Sequence, residues 1–237
     1  MIDFSKIDII KTLNGNVSKI QDKDGQIIWE RFDGYVRGTT DGSNFTSSLG
    51  DVSYKFVDSI LAFKLKYTGD TLTTLQDTFK GNKVITSIDH WGIKTDNVTN
   101  FEGTFKDCTK LKSINFNNWN TSSATSLRGM FNNCSSLTKL NLSSFDTSNA
   151  TSLINLFKDC SNLTTLDLSN FNLKGINKVT GIGTDMFETF NSCKHLTTIK
   201  VTNCDDDTIY KIIERLKHDL SSYTWRLSNG IITREDK

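Results

Sequence analysis

The hydrophobic positions fall into a pattern that recurs every 26 residues. Phe79, Phe105, Phe131 and Phe157 are spaced 26 apart, and Phe190 follows after 33. Around each Phe the apolar residues keep a spacing of i, i+3, i+4, i+7, as in Leu153, Leu156, Phe157 and Cys160. That spacing predicts the buried stripe of a short helix. A threonine (Thr73, Thr99, Thr125, Thr151 or Thr184) stands two residues ahead of the first apolar position in every copy, where a helix N-cap belongs. Beyond each Cys position the period changes. Leu137, Leu140, Leu142 and Phe145 recur as Leu111, Ile114, Phe116, Trp119 and as Leu163, Leu166, Leu168, Phe171. The closely alternating part predicts a short strand with one buried face.

Self-similarity at a fixed period predicts stacked units, none of which buries its apolar stripe alone. The L-x-x-L-x-L core is a leucine-rich-repeat strand signature. The expected fold class is therefore an α/β solenoid of leucine-rich repeats, each a short helix plus a short parallel strand, with five units over residues 71–204. Residues 1–70 do not repeat and predict a small β domain that serves as attachment or cap. Val17 and Ile20, a turn at Asp22 to Gly25, then Ile27, Ile28 and Trp29 read as a hairpin there. Residues 205–237 predict a C-terminal cap. Ile209, Ile212, Ile213 and Leu216 line one helix face behind Asp205, Asp206 and Asp207, and Asn229-Gly230 turns a closing hairpin.

Strand alternation also assigns an outward face. Its columns are Ser87, Ser113, Lys139, Thr165, Thr198, then Asp89, Asn115, Asn141, Asp167, Lys200, then Trp91, Asn117, Ser143, Ser169, Thr202. Small hydroxyl and amide groups with one aromatic edge suit contact with a sugar or a protein. The alternative is a strand face kept polar for solubility, because one-faced sheets alternate polar-out in any case. Trp91 is the foremost contact candidate, and packing against the N-terminal segment is its alternative role.

Composition narrows the chemistry. Lys and Arg number 28 against 27 Asp and Glu, a net charge of +1, so nothing draws the chain as a whole to nucleic acid or an anionic membrane. No apolar run is long enough to span a bilayer. The first 19 residues read as no secretory leader. Proline is absent, and Ser, Thr and Asn serve the turns. Cys108, Cys134, Cys160 and Cys193 share one register on the apolar stripe, with no C-x-x-C pair. They read as buried, reduced thiols rather than metal ligands or disulfides. Asp22-x-Asp24-Gly25 lacks the bidentate Glu of a calcium loop, since Asp33 occupies that place. The Asp205–Asp207 run reads as a helix start, and no nucleotide, nucleophile-elbow or zinc motif occurs. The expectation is a protein that is not an enzyme and carries no metal or cofactor; a hydrolase would have to rest on Asp89 or Asp167.

The unit MFNNCSSLTKLNLSSFDTSNATSLINLF, Met130–Phe157, resembles the BspA-like leucine-rich repeats of bacterial surface and phage proteins. The likeness covers residues 71–204, departing at Asn82 (for Cys), at His90 in a strand core position, and in the seven extra residues of the fourth unit. Gly15, Asn16, Val17, Ile20, Gly25, Ile28 and Trp29 are similar to an opening found in phage tail and virion proteins. These resemblances imply binding and adhesion and no reaction. The expected function is a virion-associated tail, fibre or head-decoration protein, with residues 1–70 on other virion proteins and the repeats facing a bacterial surface glycan or protein. Such a protein is assembled in the host cytoplasm and can form a homo-oligomer, with no nucleic-acid partner and no membrane insertion. The alternative is a BspA-like adhesin at the bacterial cell surface.

Overall fold

The computed structural model describes residues 7–13, 16–22, 27–30, 35–57, 60–67, 71–177 and 185–236, and in it the segment around each repeat Phe is a run of tight turns. Two residues before and two after each Phe, the backbone is left-handed. The pairs are Asp77 and Gly81, Gly103 and Asp107, Gly129 and Asn133, Asn155 and Asp159, and Glu188 and Ser192. A right-handed helix cannot run through a left-handed residue every fourth position. Glycine, Asn and Asp fill eight of these ten places, because they adopt positive φ at least cost. Gly103 is doubly required: a Cβ there would lie 2.1 Å from Asp77 Oδ1.

The turns put alternate peptide groups to different uses. Lys80 N–H bonds to Asp77 O and Cys108 N–H to Phe105 O, closing local turns, while the intervening N–H groups reach the next unit. Phe79, Phe105, Phe131 and Phe157 donate to the carbonyls of Thr104, Met130, Leu156 and Thr189 at 2.8–3.0 Å. The threonines expected as N-caps join this ladder instead. Thr125 and Thr151 donate both N–H and Oγ1–H to the carbonyl of the equivalent threonine one unit earlier. Inside the ladder the five Phe rings form one stack. Centroids are 5.5, 5.8, 6.0 and 5.8 Å apart, and the rings are 2 % exposed or less.

Three sheets make up the rest. β1 (Ile7–Leu13), β2 (Asn16–Asp22) and β3 (Ile27–Glu30) form an antiparallel sheet, and the turn expected between β2 and β3 lies outside the described residues. The second sheet contains β4 (Tyr35–Thr40), β5 (Gly50–Val57), β6 (Ile60–Tyr67), β7 (Ile85–Trp91) and β8 (Ser113–Ile114), in the order β5-β6-β4-β7-β8. Its β4 strand runs antiparallel to β7, so β4, β5 and β6 share a sheet with the first repeat. The third sheet brings together β9 (Lys139–Asn141), β10 (Thr165–Asp167) and β11 (Thr198–Lys200), all parallel, with the antiparallel hairpin of β12 (Tyr223–Ser228) and β13 (Ile231–Asp236). Among the described residues there is one α-helix, α1 (Asp206–Asp219).

The fold class expected from the sequence, an α/β solenoid of helix-plus-strand units, is therefore corrected. The described residues form β-rich mixed sheets with a single terminal helix, and the apolar i, i+3, i+4, i+7 spacing belongs to turns that hydrogen-bond to their neighbours.

α1 closes the open end of the ladder. Asp219 Oδ2 accepts the N–H of Phe190 at 2.9 Å, a group that in earlier units meets the next turn's carbonyl. Thr208 Oγ1 accepts Leu173 N–H at 3.0 Å, and Lys211 Nζ donates to Leu173 O at 2.9 Å. These side chains stand in for the partners that a following unit would supply, because buried backbone groups without partners are expensive. Asp219 is held by Arg215, and both side chains are at most 1 % exposed.

Candidate binding face

The outward columns are present but broken. Ser87 pairs with Ser113 across β7 and β8, while Lys139, Thr165 and Thr198 pair across β9, β10 and β11. β8 and β9 belong to different sheets, so the columns are interrupted between the second and third units. Asn141, Asp167 and Lys200 stand side by side in register, with Lys200 Nζ 3.8 Å from Asp167. The central column has a structural duty that strand alternation does not reveal. Asn115, Asn141 and Asp167 accept, through Oδ1, the N–H of Asn117, Ser143 and Ser169 at 2.9–3.1 Å. Each thereby turns the chain out of its strand. Asp89, Asn115, Asn117, Lys139, Asn141 and Lys200 are exposed; Ser143, Thr165 and Asp167 are half-buried; Ser169 is buried.

Trp91 is not on this face. It is 1 % exposed, with its ring centroid 4.5 Å from that of Trp119 and 6.3 Å from that of Phe79. The cause is a bulge. In the β4–β7 ladder Arg37 opposes His90 and Gly38 opposes Ile88, so Asp89 is the extra residue. One inserted residue shifts the alternation by one and carries Trp91 to the core side. Position 90 is a core position in later units, occupied by Phe116, Leu142 and Leu168, but here holds His90. Trp91 thus fills the apolar place. Gly38 permits the close approach of the two strands, since a Cβ there would lie 1.9 Å from Ser87 O.

Where the end of β4 meets β7 and β8 the surface opens into a cleft of about 570 Å³, lined by residues including Thr39, Asp41, Ser87, Lys110, Lys112 and Ser113. Thr39 Oγ1 lies 2.7 Å from Thr86 Oγ1 and 2.9 Å from Ser87 Oγ. Lys110 Nζ is 2.5 Å from Asp41 Oδ2, and this contact holds the Asp41 carboxyl below its ordinary range. Of these residues the strand pattern had singled out Ser87 and Ser113 alone. Thr39 and Asp41 come from β4 and the loop after it, about 70 residues upstream, and no spacing links them to the repeats. A local signal did exist for the lysines. Lys110 and Lys112 occupy places that hold Ser136 and Thr138 in the next unit.

The cysteines belong to the ladder. Cys108, Cys134, Cys160 and Cys193 are free and buried, and each Sγ donates at 3.0 Å to the carbonyl of the repeat Phe one unit earlier. Burial pushes the Cys108 and Cys160 thiols up to about 12, and those of Cys134 and Cys193 well above their ordinary 9.0. Iodoacetamide at pH 8 is therefore expected to leave these four untouched in the folded protein. Cys204, half-buried and raised to about 11, should react first and slowly, and all five should react in denaturant. Intact-mass spectrometry counts the adducts, and four or five fast adducts on folded protein would contradict the ladder. Asp205 caps α1, and its hydrogen bond from Thr208 keeps its carboxyl low. Among the described residues no group of three His, Cys, Asp or Glu side chains could hold a metal ion. No helix there is long and apolar enough to cross a membrane.

Fold and surface together define a β-rich protein built on a 26-residue tandem repeat, closed at both ends by antiparallel strands and polar along its strand face. The chain belongs to the family described as Mycoplasma protein of unknown function, DUF285, which matches residues 73–203 and is a family of BspA-like repeats. No curated protein and no solved structure matches the chain.

Proposed function

We propose that this chain is a non-enzymatic display protein. Its N-terminal β segment attaches it to a larger assembly, and its repeats hold a polar strand face towards a bacterial surface glycan or protein. The observation that supports this reading is the division of labour within the repeat. Phe, Cys and Thr columns are spent on the unit-to-unit ladder, whereas Lys139, Asn141 and Lys200 remain exposed on the strand side. The fold is thereby constant and the exposed strand residues are free to differ from unit to unit. The resemblance of residues 15–29 to phage tail and virion openings favours a virion as the assembly. Mass spectrometry of density-purified particles should then detect the protein at a fixed copy number per particle, and absence from the particles would overturn the virion reading. A BspA-like adhesin at the cell surface is the second reading, favoured by the description of the family as Mycoplasma proteins. Immunogold labelling of intact cells would show it there.

A further inference from the structure

The cleft where β4 meets β7 and β8 gathers hydroxyls, a carboxylate and two lysines around one opening. Its volume of about 570 Å³ lies within the range of small-molecule sites, roughly 300–1,000 Å³. Its floor is a chain of hydroxyls, Thr86, Thr39 and Ser87, joined at 2.7 and 2.9 Å. One wall is the Lys110–Asp41 pair, which places a donor and an acceptor side by side at the surface. Lys112 is exposed at the mouth and has no ion pair among the described residues. A carboxylate beside an ammonium suits neighbouring hydroxyls of a polyol, each of which donates to one and accepts from the other. An unpaired ammonium at one end suits a carboxylate on the same ligand.

We infer that this cleft is a binding site for an acidic saccharide, with Asp41, Lys110 and Ser87 holding sugar hydroxyls and Lys112 holding a uronic carboxylate. The inference rests on the display reading, for which it names the ligand class and moves the contact from the flat strand columns to the β4–β7–β8 end. No aromatic ring is among the residues that form it, so recognition is polar and the affinity is modest, with fast exchange.

The test is titration of the full chain with trigalacturonate, followed by calorimetry and by amide shifts in NMR. Saturable binding is expected, with shifts centred on Ser87, Lys112 and Ser113. Lys112→Gln should weaken it about tenfold, the loss of one charge-assisted contact. Ser87→Ala should weaken it about fivefold. Lys217→Gln, on α1 and outside both the cleft and the strand face, should leave it unchanged. The carboxyl-reduced trisaccharide should bind about as weakly to the wild type as trigalacturonate binds to Lys112→Gln. Failure of trigalacturonate to saturate, equal binding by wild type and Lys112→Gln, or equal binding of sodium sulfate with no gain from the sugar ring would overturn the site. Whole-cell sedimentation with the same variants separates the two levels of the argument. Cell binding that survives Lys112→Gln keeps the display reading and removes the cleft. Loss of all cell binding by wild type, with trigalacturonate still bound, keeps the cleft and removes the display reading.

Discussion

Raising the pH from 8 to 10 is expected to unfold this protein or bring it close to unfolding, and the four buried thiols are the cause. In the folded chain Cys108, Cys134, Cys160 and Cys193 keep their protons far into the alkaline range, because a thiolate at those places would lose its hydration. In the unfolded chain they ionise near the ordinary value of 9.0. Below pH 9 both states hold the proton and the thiols contribute no pH dependence. Between pH 9 and about 12 the unfolded chain alone gives it up, so stability falls as pH rises. Each thiol contributes a slope approaching about 1.4 kcal/mol per pH unit. At pH 10 the four together remove about 5 kcal/mol, comparable to the whole stability of many domains.

Urea melts at pH 7, 8, 9, 9.5 and 10, followed by far-UV circular dichroism, read this directly. Free energy should be level to about pH 8.5 and then drop steeply. Cys134→Ser keeps a donor for the Phe105 carbonyl and removes one titrating group. Whatever that variant loses at neutral pH, its alkaline slope should be shallower by about 1.4 kcal/mol per unit. An unchanged slope would show that tyrosine or lysine titration governs the alkaline limb and that the thiols are not dry.

The same ladder shows which parts of the architecture the sequence could disclose. The period and the burial of Phe and Cys followed from counting, because every unit meets its neighbour through the same side chains. The helix did not follow. An apolar i, i+3, i+4, i+7 stripe arises equally from a turn run that coils once around four residues, and the stripe alone does not tell them apart. The distinguishing mark was the pair of columns two residues either side of Phe, where Asp77, Gly103, Gly129 and Asn155 match Gly81, Asp107, Asn133 and Asp159. Residues that tolerate positive φ at two fixed places per unit exclude a continuous helix. At the C-terminus no such columns interrupt the pattern, and there Ile212 and Leu216 do lie buried on one face of α1. The candidate face was legible as columns of polar residues but not as a site. The bulge at Asp89 that buries Trp91 depends on β4, and the cleft depends on Asp41 meeting Lys110, a contact across 69 residues that no local pattern encodes.

Asp219→Asn is expected to destabilise the protein by about 3–5 kcal/mol, although it changes one atom in a helix far from the proposed sites. Asp219 does two things at once. Its Oδ2 receives the N–H of Phe190, the last of the Phe column, and its Oδ1 neutralises Arg215. Asparagine still accepts from Phe190 but removes the carboxylate that neutralises the buried Arg215 guanidinium, and weakening the pairing of a buried charge is costly. The loss should therefore be recovered in part by removing that charge. In Arg215→Met/Asp219→Asn the two substitutions should be less harmful together than the sum of the two singles, a coupling of about 2 kcal/mol or more in a double-mutant cycle read by urea melts at pH 7. Asp219→Leu tests the other duty. It deprives both Phe190 N–H and Arg215 and should be worse than Asp219→Asn by about 1–3 kcal/mol, the penalty of a buried donor without a partner. If Asp219→Asn melts within 0.5 kcal/mol of the wild type, the helix is an ornament on the last unit; if the order of the variants holds, α1 is what ends the stack, and a carboxylate on a helix stands in for the carbonyl that a following unit would supply.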